Sequence, residues 1–243
     1  MKPYNRDKTT KSEEVREMFD KIAPAYDRLN HILSLQIDKL WRRKVVKMAK
    51  KLAPGRVIDL ATGTGDLAIA ISKALPEAKI VAIDPSEGML KVAQEKIKAE
   101  GLEERITIEV GSAEALPTQD GQADLITVAF GVRNFGNLQR GLDEIARSTR
   151  EGGAVIILEF STPPNPIFRW FYNLYSRNIM PFIGGLLSRD RRAYEYLPAS
   201  VEEFPAPDRV AEMLVKAGFV QPHLRSLTFG VAHIYCAVKQ SAE

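Results

Sequence analysis

Three aspartates and two glycines mark where chemistry is most legible in this chain. Asp59 sits in a strand-like run, Arg56-Val57-Ile58-Asp59-Leu60-Ala61, and Gly63 and Gly65 follow in Thr62-Gly63-Thr64-Gly65 before Asp66 opens a helical pattern. A strand that stops at a Gly-x-Gly turn ahead of a helix leaves backbone N–H groups free. It also lets a ligand approach where a Cβ would clash. About 25 residues after Asp59, a second strand-like run from Lys79 ends in Asp84. A carboxylate at that strand tip is placed to accept hydrogen bonds from both hydroxyls of a ribose. The implied ligand is a nucleotide-type cofactor.

Two cofactors compete for such a turn. Gly63-x-Gly65-x-x-Ala68 with a following acid also satisfies the dinucleotide fingerprint of NAD enzymes. A pyrophosphate there would meet Asp59 and Asp66, at roughly 4 kcal/mol per contact pair for an effective dielectric near 20. S-adenosylmethionine (SAM) has no phosphate, and its sulfonium and ammonium are attracted to the same acids, so SAM is favoured over NAD. Either acid also has a structural use, because Asp at a helix start caps orphan N–H groups and suits the helix dipole.

The elements that must position these residues alternate. Strand-like runs at 57–60, 80–83, 106–110, 125–130 and 154–160 are separated by helical patterns at 66–74, 87–98 and 138–147, and Gly152-Gly153 opens the fifth strand. This predicts an α/β fold with a doubly wound, mostly parallel, seven-stranded sheet. A helix at 207–217 and two β runs at 221–227 and 232–238 add an antiparallel C-terminal edge. Ahead of the core, Thr10 and Glu13 form a capping box for an amphipathic helix carrying Phe19, Ile22, Ala23 and Tyr26, stopped near Pro24. A second helix carries Ile37, Leu40, Trp41, Val45, Met48, Ala49 and Leu52 on one face. The expected organisation is one domain: a helical cap (1–53), a cofactor-binding core (54–161), an insertion (162–206), and a closing helix and hairpin (207–243).

The 243 residues are 45% hydrophobic and 27% charged, as in soluble globular proteins, and the start is polar rather than a secretory signal. A single cysteine, Cys236, excludes an internal disulfide and fits a reducing cytoplasm. The three histidines, His31, His223 and His233, lack ligand spacing, so no metal is expected. Net charge is only +3, but two basic tracts, one from Lys39 to Lys51 and one at Arg189-Asp190-Arg191-Arg192, concentrate cations. They either solvate helix faces or meet anionic lipid headgroups, ahead of nucleic acid.

The insertion is rich in aromatic and aliphatic residues, from Ile167, Phe168, Trp170 and Phe171 through Pro181 and Phe182 to Leu187. Following the fifth strand, it lies at the rim where such sheets bind ligands. A lid, an apolar substrate pocket, a membrane-contacting surface and a dimer contact or local subcore are all compatible with it.

Several longer stretches carry a resemblance. Tyr26-Asp27-Arg28-Leu29-Asn30-His31-Ile32-Leu33-Ser34, with Asp38 and Trp41, resembles the signature Y-D-x-M-N-x-x-[aliphatic]-S-x-x-x-H-x-x-W of the menaquinone and ubiquinone C-methyltransferases. Leu29 stands for Met and Asp38 for His. Arg147 to Gly153, ending Glu159-Phe160-Ser161, resembles the same family's second signature, with Ser148 and Glu151 in place of Val and Pro. Asp59 to Asp66, Ala113 to Pro117 and Phe130 to Asn134 are also similar to the family's forms, so the resemblance spans nearly the whole chain.

The resemblance implies a class I SAM-dependent methyltransferase that C-methylates a polyprenylated demethylmenaquinol, or the benzoquinol precursor of ubiquinone. It implies cofactor contacts at Thr64 in the loop, at Asp84 on the ribose hydroxyls and at Ser112-Ala113 for adenine; Gly63 in the turn and Asp59 in the strand before it join them on the residue reading above. For ring methylation, a positioned cation stabilises the developing phenolate, and Arg133 is the candidate. A guanidinium is a poor base, so a water or a carboxylate takes the proton, with Asn134 to orient the water and Tyr26 and His31 as further candidates. A cytoplasmic protein visiting the inner face of the membrane is expected, with oligomeric state open.

Overall fold

The computed structural model describes residues 1–179 and 190–241. Three helices precede the sheet: α1 (Lys11–Ile22), α2 (Tyr26–Leu33) and α3 (Ile37–Leu52). The capping box at Thr10 and Glu13 opens α1. The helix stops near Pro24 as expected, because proline lacks the N–H a continuous helix needs: α1 ends at Ile22, a 3-10 turn at Ala23–Ala25 follows, and Tyr26 opens α2 rather than continuing α1. On α3, Trp41, Val45 and Ala49 are buried, whereas Leu40 and Leu52 are exposed, contrary to their expected place on the apolar face.

The sheet and its crossovers follow as β1 (Arg56–Leu60), α4 (Asp66–Ala74), β2 (Lys79–Asp84), α5 (Glu87–Ala99), β3 (Ile106–Val110), β4 (Ala123–Ala129), α6 (Leu138–Ser148) and β5 (Thr149–Phe160). The insertion forms α7 (Pro166–Leu174), a π-helical turn (Tyr175–Ile179) and α8 (Arg191–Glu203). The apolar residues expected at 180–187 and Arg189 lie outside the described residues. The chain closes with α9 (Pro207–Lys216), β6 (Phe219–Leu227) and β7 (Ala232–Lys239).

Strand order is β3-β2-β1-β4-β5-β7-β6, with β7 antiparallel to both neighbours and the pairs among β1 to β5 parallel. Helices cover both faces, which is why β4 and β5 are nearly continuous apolar runs rather than alternating ones. One core packs α3, α4 and α5 on the sheet around Trp41, Ile71, Ile97 and Ile156; the other packs α6 and α9 around Leu142, Ile145, Val210 and Leu214. A third cluster joins α1 and α2 to α8 through Met18, Leu29, Tyr194 and Tyr196.

Two strand boundaries depart from the sequence pattern. Strand β5 begins at Thr149, ahead of Gly152-Gly153, and a register shift against β4 with Gly152 at φ 66° absorbs the extra residues. Strand β4 stops at Ala129 because Phe130 turns to φ 60°, although its N–H still donates to Leu158 O at 2.7 Å. The order of strands reverses between β1 and β4, so their carboxyl ends open a crevice at a topological switch point. Among the described residues, no helix is long and apolar enough to cross a membrane.

Candidate active site

Two cavities open at that crevice and share a wall. The first, about 220 Å³, is bounded by Gly63 after β1, Asp84 at the end of β2, Ser112 and Ala113 after β3, and Asn134 after β4. The second, about 260 Å³, lies between α1–α3 and the insertion; Leu33, Trp41, Phe160, Tyr172 and Arg133 help to line it. Phe19, Tyr26 and Phe130 border both. The left-handed backbone at Phe130 that ends β4 thus places a residue on the dividing wall.

The floor of the first cavity is built on the glycine turn. Thr62 N–H donates to Ile83 O at 3.0 Å and Gly65 N–H to Thr62 O at 3.0 Å, tying the turn to β2. Gly63 has φ +57°, and no atom lies within 4 Å of where its Cβ would be, so the turn is open toward the cavity. Asp84 faces it: Oδ2 accepts from Gly63 N–H at 2.8 Å and Oδ1 from Ser86 N–H at 2.9 Å. Each oxygen keeps acceptor capacity for a further donor. Burial pushes the Asp84 carboxyl up to about 6, against those two hydrogen bonds. Ser112 and Ala113 form the adjoining shelf, where Ser112 Oγ donates to Glu114 Oε2 at 2.6 Å and Ala113 presents a small buried side chain.

Asp59 and Thr64 stand to one side, around a small adjoining pocket that they share with Gly63 and Tyr26. Asp59 is buried and accepts from the hydroxyls of Thr127 and Thr62, both at 2.6 Å; burial still pushes it up to about 6. Thr64 Oγ1 donates to Asp27 of α2, and Lys96 of α5 reaches Asp27 at 2.6 Å and also Asp66. Despite burial, Lys96 holds Asp66 below the usual carboxylate range. Asp66 is therefore drawn into an ion pair and off the first cavity. The acids that do line that cavity, and would repel a pyrophosphate, are Asp84, Glu13 and Glu114.

Arg133 and Asn134 share a 3-10 turn, Val132–Asn134, but serve different cavities. Arg133 is buried. Its Nη1 donates to Glu159 Oε1 at 2.8 Å and to Phe130 O, its Nε to Ser200 Oγ at 3.3 Å, and its guanidinium lies 5.5 Å from the Phe160 ring centre. Burial opposes the charge, but Glu159 outweighs it and raises the pKa above its ordinary value. Asn134 Oδ1 accepts from Tyr196 OH at 3.1 Å. Burial keeps Tyr26 and Tyr196 protonated, Tyr196 being pushed up to about 12. His31 borders neither cavity; its Nδ1 lies 2.9 Å from Asp38, which also accepts from Ser34 and Arg42.

Several positioning residues escaped the sequence reading. Asp20 of α1 accepts from Ser86 Oγ at 2.6 Å and Gly88 N–H at 2.9 Å, fixing α1 beside the first cavity. Lys11 Nζ donates to Arg133 O at 2.9 Å and Phe135 O at 3.1 Å. Tyr196 and Ser200 of α8 hold Asn134 and Arg133. These contacts join residues far apart in sequence, and no local pattern announces them. Among the described residues, no group of three or more His, Cys, Asp and Glu side chains is placed to hold a metal ion.

The first cavity fits an adenosyl cofactor with a cationic sulfur: a buried carboxylate for a ribose, a shelf with a small side chain for adenine, and acids on the wall. The chain is 44% identical over 239 residues to a demethylmenaquinone methyltransferase of Bacteroides fragilis, covering 98% of this chain and 97% of that protein. It is 43% identical over 232 residues to a ubiquinone/menaquinone biosynthesis C-methyltransferase of Geobacter sulfurreducens, covering 95% and 90%. In fold alone it matches the [4+2]-cyclase SpnF, with a TM-score of 0.70 at 16% identity over 95% of this chain and 97% of that one. The ubiE/COQ5 methyltransferase family model matches residues 7–239, and the chain belongs to that family.

Proposed function

We propose that the protein uses SAM to C-methylate the quinol ring of a polyprenylated demethylmenaquinol, giving menaquinol. The observation that carries this reading is the pair of cavities meeting at Phe19, Tyr26 and Phe130, one with polar donors and acids, the other apolar and aromatic. Gly63, Asp84, Ser112 and Ala113 hold the cofactor, with Asp59 and Thr64 supporting the turn. SAM supplies an electrophilic methyl group when bound. Holding two reactants in a near-attack geometry is worth roughly 7 to 11 kcal/mol, and a wall shared by both cavities serves that end. Arg133 favours the ionised ring hydroxyl in the second cavity, for roughly 3 to 4 kcal/mol per donor. Asn134, fixed by Tyr196, orients the water that takes the proton. In this reading residues 1–53 cap both cavities, 54–161 hold the cofactor, 162–206 receive the acceptor and 207–243 complete the sheet. The protein works in the cytoplasm against the inner membrane face, where a prenyl tail resides.

The test is transfer of labelled methyl from SAM to reduced demethylmenaquinone in vesicles, with the benzoquinol precursor in parallel. Label on the naphthoquinol is expected. Label on the benzoquinol alone would move the substrate, and no label on either despite tight SAM binding would overturn the reading.

A further inference from the structure

The elements that line the second cavity also carry apolar side chains that face outward. Ile167, Trp170, Phe171 and Leu174 on α7 are exposed, Trp170 by 61% and Phe171 by 58%. Tyr172 and Tyr175, next along the same segment, line the cavity, and Tyr175 OH donates to Leu33 O at 2.7 Å. Phe229 is 67% exposed and stacks on Phe168 with ring centres 4.3 Å apart. It stands in a strained position, because Thr228 and Phe229 both have positive φ, 45° and 57°. Trp41 Nε1 donates to Thr228 Oγ1 at 3.0 Å and anchors that turn against α3. Leu35, which lines the cavity, and Leu40 on α3 are 72% and 51% exposed.

Helix α3, which lines the cavity through Ile37, Asp38 and Trp41, also carries a row of cations. Lys39, Arg43, Lys47, Lys50 and Lys51 are all exposed. Lys39, Arg43, Lys47 and Lys51 recur every four residues, with Lys50 three after Lys47, which keeps them on one side of α3, beginning beside Leu40. Arg42, between them, is turned inward to Asp38. Apolar anchors beside a cationic stripe are the two components that hold a protein on an anionic lipid surface. A two-fold dimer covering both components would bury the stripe against the partner's copy of this same basic and apolar face, which supplies no matching row of acids.

We infer that the outer face of α7 and Phe229 insert into an anionic bilayer while the α3 stripe lies on its headgroups, so that the second cavity opens directly to lipid. This deepens the reading of a polyprenylated acceptor, on which its purpose rests; the surface itself is tested without any quinol. The acceptor's ring then enters through the mouth while its tail stays among the acyl chains.

The experiment is partition of the purified protein, without SAM or quinol, onto vesicles of phosphatidylglycerol and phosphatidylcholine. The chain has two tryptophans, and Trp41 is buried at 4% exposure, so brominated lipid should quench Trp170. Quenching is expected in the wild type and should be lost in Trp170→Phe. Trp170→Ser/Phe171→Ser should lower partition about tenfold or more. Lys47→Glu/Lys50→Glu should lower it by at least about fivefold per position, with a steep dependence on salt. Both variants should keep wild-type circular dichroism, which separates loss of docking from loss of folding. Partition unchanged in both variants, absence of vesicle binding, or bound protein with unquenched Trp170 would each overturn the inference. So would a dimer that Trp170→Ser/Phe171→Ser converts to monomer with vesicle binding intact, which would assign this face to a second copy. Failure of methyl transfer with vesicle docking preserved would instead count against the proposed reaction.

Discussion

Arg133 on the wall of the second cavity is paired at 2.8 Å with Glu159, and both side chains are buried. Removing one member of such a pair leaves the other charged and unsolvated, at about 3 to 5 kcal/mol. Arg133→Ala should therefore lower stability as well as turnover. Arg133→Lys keeps a positive charge but not the forked donors, and should isolate the chemical role. Its turnover is expected to fall about a hundredfold, in line with loss of one oxyanion donor, while SAM affinity stays within about twofold. Single-turnover kinetics and calorimetry check the split; equal losses in both would place Arg133 in the cofactor site.

Asp84 sets a pH dependence. Asp84→Ala should weaken SAM binding at neutral pH by tenfold or more, on the order of 1.5 to 3 kcal/mol for charge-assisted hydrogen bonds. In the free protein burial raises this carboxyl to about 6. Ribose recognition by the carboxylate should strengthen as pH rises to about 6 and then level off, and Asp84→Asn should flatten the curve. Folding stability has the opposite sign. The folded chain holds the Asp84 proton more tightly than the unfolded chain, so that contribution is full below about 4 and is lost as pH rises through about 6. Asp59, raised to about 6 by burial, acts in the same direction. Calorimetric titrations and thermal melts across pH 4 to 8 measure the two trends.

Tyr196→Phe removes the hydroxyl that donates to Asn134 Oδ1 and leaves the ring packed. Turnover should fall about fivefold to tenfold, the worth of one hydrogen bond, with the melting temperature nearly unchanged. Unaltered turnover would sink the positioning role.

Asp38 departs from the family signature, which has His there, and its imidazole partner is found at His31, 2.9 Å away. Asp38 also accepts from Ser34 and Arg42, and these partners hold it below the usual carboxylate range in spite of burial. Asp38→Asn should cost about 1 to 3 kcal/mol in urea unfolding. Stability from Asp38 is present above its unfolded pKa near 3.8 and should fade as pH falls below it.

Most of the sheet was legible, because strands covered on both faces read as apolar runs and Gly-x-Gly or an acid marks their ends. Asp84 and Gly63 belong to that class, since strand tip and turn are local features. Asp66 was legible as an acid at a helix start but not in its partner, because Lys96 comes from the next helix. The break near Pro24 was legible from the proline itself, which lacks the N–H a continuing helix needs. The reversal of Phe130 to positive φ was not, because it is bound up with the Leu158 carbonyl that β5 offers to its N–H. The couplings of Arg133 to Ser200 and of Asn134 to Tyr196 join segments whose proximity only the finished fold creates.

Because Phe19, Tyr26 and Phe130 border both cavities, whatever fills one compartment also fixes part of the surface of the other. Cofactor and acceptor should then be thermodynamically linked: if SAM tightens acceptor binding by some factor, the acceptor tightens SAM binding by the same factor. By the same linkage, departure of either the demethylated cofactor or the methylated ring would loosen the wall against which the other rests, so that release of one product speeds release of the second.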